Sequence, residues 1–234
     1  RGCHRRVIDG MAITLAVDAM GGDHGPRVTV PASLSVLTEH PSLSLVLVGQ
    51  ESQIRPLLSG LSPDLSSRVE ILHTDEVVLM DDKVAVALRN KRHSSMRLAI
   101  NLVRDGKAAA CVSAGNTGAL MAVSRFVLKT HPGIDRPAIM TALPSIRGHF
   151  HMLDLGANVD SEAIHLLQFA QMGSLVAEAL DGVARPRVGL LNIGEEEIKG
   201  NDLIKEAHGL LKESGLNYIG YVEGDGIFAG ETIN

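Results

Sequence analysis

Apolar residues in this chain gather into short runs separated by stretches with helical spacing. ITLAVD at 13–18, LSLVLVG at 43–49, RVEILH at 68–73, AAACVS at 108–113, AIMTAL at 138–143, FHMLDL at 150–155, RVGLLNIG at 187–194 and NYIGYVE at 217–223 are each six to eight residues long. Runs of that length bounded by turn-forming residues predict β-strands. Between them, Ser94–Asp105 sets Met96, Ala99, Ile100 and Val103 on one helical face, and Thr117–Lys129 and LIKEAHGLLK repeat the helical period. LMDDKVAVALRN at 79–90 predicts a loop and then a helix, with Asp81 or Asp82 as the N-cap. Apolar strands joined by helices imply an α/β fold with a mainly parallel sheet and helices on both faces. Only PSIRGH separates the runs at 138–143 and 150–155, so these two are expected to form a hairpin.

In open parallel sheets ligands gather at the carboxyl ends of strands. Four such ends carry the same chemistry: Asp18 to His24, Ser113 to Gly118, Asp154 to Asn158, and Asn192 to Lys199. The expectation is that they meet around one oxyanion pocket. In VSAGNTGALM, glycines before a helix let backbone N–H groups approach a ligand, and the helix start adds unpaired donors and partial positive charge. Gly, Asn, Ser and Thr are also what a tight turn and cap would use, so both readings stay open. The stretch has neither the Lys of a Walker A loop nor the spacing of a dinucleotide fingerprint.

DAMGGDHGP at 18–26 holds two carboxylates, three glycines and a histidine. Asp18, Asp23 and His24 are candidate substrate contacts there; the alternative reading is a capped turn with Pro26 at or near the helix start. In LDLGANVD and LLNIGEEEIKGND, Asn158 and Asn192 are better candidates than Glu195–Glu197, because a neutral amide can hold a phosphate or thioester oxygen without charge repulsion. Lys199 is a candidate phosphate or oxyanion contact. His149 and His151 share a strand face, but no third metal ligand stands at convincing spacing, which favours a structural role. Arg89–Arg92 reads as solvated surface that could attract an acidic carrier protein.

Composition narrows the classes further. Aromatic residues make up 3% of the 234 positions, Trp is absent and the formal charge is −5, which argues against a nucleic-acid partner. Cys3 and Cys111 are the only cysteines, so neither a disulfide framework nor a cysteine metal site is supported, and a reducing compartment is expected. No apolar stretch approaches the roughly 20 residues of a membrane span. Arg1–Gly10 reads as an N-terminal extension without order, and 11–234 as one α/β domain whose internal boundaries cannot be placed.

DAMGGDHGP, SSMR at 94–97, CVSAGNTGALM, GIDRPA at 133–138, LDLGANVD, NIGEEEIKGN and NYIGYVEG, in this order, resemble the bacterial PlsX phosphate acyltransferases from about Ile13 to Asn234. The resemblance implies transfer of a fatty acyl group from acyl carrier protein to inorganic phosphate. It further implies a homodimer related in fold to phosphotransacetylases and isopropylmalate dehydrogenases, with no metal or redox cofactor. Peripheral attachment to the cytoplasmic membrane is also implied. Carried onto this sequence, Gly115, Asn116, Thr117 and Gly118 form the phosphate cradle with Ser113 as donor. Asp18, Gly21, Gly22 and Asp23 shape the adjoining wall, His24 is a further substrate-binding candidate that could shuttle a proton, and Asn158, Asn192 and Lys199 hold phosphate or carbonyl. Family chains continue past the segment matching GETIN, so a C-terminal part is expected to be lacking. A coenzyme A-dependent phosphotransacetylase and an inactive binding fragment are the rivals; a nicotinamide dehydrogenase is the weakest.

Overall fold

The computed structural model describes residues 13–156, 160–192 and 202–229. Eight strands are present there: β1 (Ile13–Asp18), β2 (Leu43–Gly49), β3 (Val69–His73), β4 (Ala110–Ser113), β5 (Met140–Ser145), β6 (Gly148–Leu153), β7 (Val188–Leu191) and β8 (Tyr218–Val222). The helices are α1 (Pro26–Glu39), α2 (Glu51–Ile54), α3 (Pro63–Ser67), α4 (Val84–Arg89), α5 (Ser95–Arg104), α6 (Thr117–Leu128), α7 (Ala163–Asp181), α8 (Asp202–Glu213) and α9 (Gly224–Ala229), with a 3-10 turn at Arg55–Leu58. Contacts divide the chain into two compact units, Arg1–Lys129 and Thr130–Asn234.

In the first unit the order is β3-β2-β1-β4, all parallel. Side chains alternate across each strand, so β1 and β2 bury both faces. Val17, Leu45 and Leu47 pack with Val30 and Leu37 of α1, whereas Ala16, Val46 and Val48 pack with Ala99 of α5. A sheet covered this way needs near-continuous apolar strands. The face expected for α5 is correct: Met96, Ala99 and Ile100 are buried and Val103 packs at the margin.

The second unit holds two smaller sheets, antiparallel β5-β6 and parallel β7-β8. The expected hairpin forms, but pairing extends to Ser145 and Gly148, which leaves a shorter turn than PSIRGH suggested. Ala163 of α7 and Ala207 and Leu211 of α8 cover Leu190 and Tyr221, while Phe150, Val222 and Ile227 make a separate apolar cluster. Parallel pairing prevails, but the described strands belong to three sheets rather than one.

The segment at 79–90 differs from its expected capping. Lys83 occupies the N-cap of α4 and no side chain caps the helix. Asp82 instead accepts the Leu79 N–H at 2.7 Å and pairs with the Lys91 ammonium. Lys91 holds the Asp82 carboxyl below its usual range, with help from the Leu79 amide. A carboxylate engaged with its own loop and a cation is not available to the helix start.

Candidate functional site

Strand register brings the first two glycine corners together. Asp18 ends β1 and Ser113 ends β4, and the two are partners in the parallel ladder. Ser113 Oγ donates to Asp18 Oδ2 at 2.7 Å and accepts the Gly115 N–H at 3.1 Å. One hydroxyl thus links the end of β1 to the turn that opens α6.

Gly21 allows this approach. A Cβ at that position would lie 2.8 Å from the Gly115 amide nitrogen, 2.9 Å from Asp18 Oδ2 and 3.1 Å from Ser113 Oγ. Gly22 adopts φ +83°, a left-handed conformation that disfavours other residues, and faces Ala114. Beyond the turn, Thr29 of α1 donates to Ala19 O at 2.6 Å, which fixes the helix to the strand end.

Asp18 is buried, and burial pushes its carboxyl above the ordinary range against the opposing hydrogen bonds of Ser113, Ser95 and the Met20 and Gly21 amides. Ser95 is near enough to favour the carboxylate, yet neither Asp18 Oδ1 nor Ser95 Oγ closes a hydrogen bond of good geometry, and both atoms are buried. Cys111, half-buried, has its thiol pushed up by burial and by the Asp18 charge, so it is not an activated nucleophile. Ser94, Ser95 and Met96 also shape this floor; Met96 Cε would lie 3.1 Å from a Cβ at Gly115. Their signal in the sequence was the SSMR stretch.

Asn116 is the N-cap of α6. Its Oδ1 accepts the Ala119 N–H at 2.9 Å, and its Nδ2 donates to Met80 O at 2.9 Å and Asp82 O at 3.0 Å. The amide is engaged at both ends, so this side chain caps the helix and ties down the 80–82 loop. The Thr117 and Gly118 N–H groups, at the first turn of α6, have no hydrogen-bond partner among the described residues. Asp23 and His24 are exposed at the rim. Backbone N–H donors at the start of a helix can orient an anion.

In the second unit, Asp154 follows β6 at φ 64° and Gly156 comes at φ 79°, so LDLG makes a left-handed corner. Ser161 Oγ donates to Asp154 Oδ2 at 3.0 Å. Asn192 follows β7, is half-buried, and gives its backbone N–H to Val222 O. Asp154 and Leu191 line one largely apolar cavity of about 360 Å³ with Phe150, Phe169 and Ile227. Within GIDRPA, Asp135 and buried Gln168 are joined twice, N–H to Oε1 at 2.9 Å and Nε2 to Oδ2 at 2.7 Å. Asn158 and Lys199 lie outside the described residues. The third partner that spacing did not offer His149 and His151 is Asp181, at the end of α7.

Two solved structures share the fold. One is EutD phosphotransacetylase from Staphylococcus aureus, with a TM-score of 0.59 and 17% identity over 88% of this chain and 67% of that one. The other is a 4-hydroxythreonine-4-phosphate dehydrogenase from Burkholderia phymatum, at 0.55 and 17% over 96% and 78%. Similarity in sequence is much higher to proteins named phosphate acyltransferase. That of Alcanivorax borkumensis is 64% identical over 94% of this chain and 65% of its own length. The corresponding figures for Alkalilimnicola ehrlichii are 60%, 94% and 64%. The chain thus spans about two thirds or slightly less of the relatives it matches. The model of a family described as "Fatty acid synthesis protein" matches residues 13–233, so the chain belongs to that family.

Proposed function

We propose that this chain carries the phosphate-binding half of the chemistry of a phosphate acyltransferase, which joins a fatty acyl group to inorganic phosphate. A phosphate oxygen attacks the thioester carbonyl of an acyl carrier protein, the carbon–sulfur bond breaks, and the thiol leaves with a proton. Acyl phosphate is the product. Phosphate is itself the nucleophile, so the protein has to hold it and steady the tetrahedral oxyanion rather than form an acyl-enzyme.

The observation that carries this reading is the Asp18–Ser113–Gly115 hydrogen-bonded link in the turn that opens α6, whose Thr117 and Gly118 N–H groups have no hydrogen-bond partner among the described residues. Asp18 accepts the Ser113 hydroxyl hydrogen and so positions that side chain, while burial holds its own pKa above the ordinary carboxylate range. Exposed Asp23 and His24 are proposed substrate contacts, and the sequence motifs add Asn158, Asn192 and Lys199 as proposed contacts to phosphate or carbonyl. The names of the similar proteins support the reaction class. A homodimer, working peripherally at the cytoplasmic face of a membrane, fits the same assignment.

Trapping acyl phosphate with hydroxylamine tests it, using this chain and a full-length relative side by side. The expected donor is acyl carrier protein rather than coenzyme A, and Ser113→Ala should lower turnover in the full-length protein. Equal turnover by a folded Ser113→Ala variant would overturn the site. Preference for coenzyme A thioesters would move the activity to a phosphotransacetylase.

A further inference from the structure

Strand β6 reads GHFHML, and its alternation sends Phe150 into an apolar cluster while His149 and His151 occupy the opposite face. Both imidazoles meet the carboxylate of Asp181, the last residue of α7. His149 Nε2 lies 3.2 Å from Oδ1, and His151 Nε2 lies 2.7 Å from Oδ2. The three ligand atoms all fall within 4.8 Å of one another. A carboxylate at a helix C-terminus faces the negative end of the helix dipole, a position that favours a nearby cation. Two imidazoles supply lone pairs there but no fixed positive charge.

We propose that His149, His151 and Asp181 form a binding site for a divalent transition metal of the zinc class. Zinc bonds to imidazole nitrogen and carboxylate oxygen are about 2.0–2.2 Å long, so tetrahedral ligand atoms sit about 3.3 Å apart. The 3.2 and 2.7 Å distances run to different oxygens of Asp181, and the ligand atoms lie within 4.8 Å of one another, so drawing them onto one ion takes side-chain movements of up to about 1.5 Å. Two nitrogens and one carboxylate suit Zn(II), Co(II) or Ni(II) better than calcium or magnesium, which take oxygen-rich shells. The fourth position opens to solvent beside His149, whose side chain is 47% exposed. His151 Nδ1 is buried and has no hydrogen-bond partner among the described residues, so the outer support that strengthens many metal histidines is missing. The metal is therefore exchangeable and pins the β6 strand to the end of α7, across 30 residues of sequence.

Equilibrium dialysis of the chain against ZnCl2, with Co(II) absorption as a reporter of coordination, tests the site. One metal per chain and visible bands of four-coordinate Co(II) are expected. His149→Ala and Asp181→Asn, each checked for fold by circular dichroism, should each weaken binding by at least about tenfold. His131→Ala, an exposed histidine elsewhere, should bind as the parent does. Absence of saturable uptake overturns the proposal, as does a loss below tenfold in either folded variant. If the cluster is only an ion pair, the two variants will melt earlier while zinc uptake stays at the parent value.

Discussion

Ser113 Oγ donates to Asp18 Oδ2 at 2.7 Å across a sequence separation of 95 residues, and the same oxygen accepts the Gly115 N–H. Removing the hydroxyl leaves a buried carboxyl oxygen and a turn amide without it. Ser113→Ala should therefore destabilise the chain by about 1–3 kcal/mol. In a double-mutant cycle with Asp18→Asn, the two losses should fall short of adding by about 0.5 kcal/mol or more. Strict additivity in urea unfolding would mean that the hydrogen bond is not shared as described.

Asp18 also sets a sign for pH dependence. Its folded pKa lies above the ordinary 3.8, so between 3.8 and the raised value the native chain holds more proton than the unfolded one. Stability contributed by this group falls as pH rises through that window and is greatest below it. Asp18→Asn should remove this component, and subtracting its unfolding free energies from those of the parent cancels the other carboxylates. A difference that is flat from acid to neutral pH, or that grows with pH, would contradict the assignment.

Gly21→Ala should be far more damaging than its size suggests. The added methyl meets the Gly115 amide, Asp18 and Ser113 at 2.8–3.1 Å; the Gly115 contact is to backbone, and the other two are the side chains that hydrogen-bond each other across the strand ends. About 1–3 kcal/mol is expected, together with loss of phosphate binding by calorimetry. Gly209→Ala is the contrast: the position is exposed inside α8, with nothing within 4 Å, and should gain about 0.4–1 kcal/mol.

Asn116 can be dissected by substitution. Ala removes the cap of α6 and both bonds to the 80–82 loop, at a cost of about 1–2 kcal/mol or more. Ser keeps a capping oxygen and should recover much of the stability but not the loop contacts. Proteolysis at the 80–82 loop, measured beside thermal melting, separates the two effects. Equal protection of the loop in the parent and Asn116→Ser would show that the amide donors hold nothing there.

Apolar patterning along the chain located all eight strands and the faces of α5, because those features depend on local period and on burial of both sheet faces. The corners after β1 and β6 were legible from glycines that take positive φ there, Gly22 and Gly156, while the corner after Asn192 lies outside the described residues. Sequence could not say that Asp82 would turn to Leu79 and Lys91 rather than cap α4, for the competing partner is supplied by folding. Nor could it divide the strands among three sheets, because hydrogen-bond pairing is a choice among apolar runs of similar character. Asp181 stands 30 residues from His151, and Ser113 stands 95 from Asp18. Spacing along a chain carries no information about such meetings; only the register of β1 with β4 and the packing of α7 against the β6 strand bring those atoms within bonding distance.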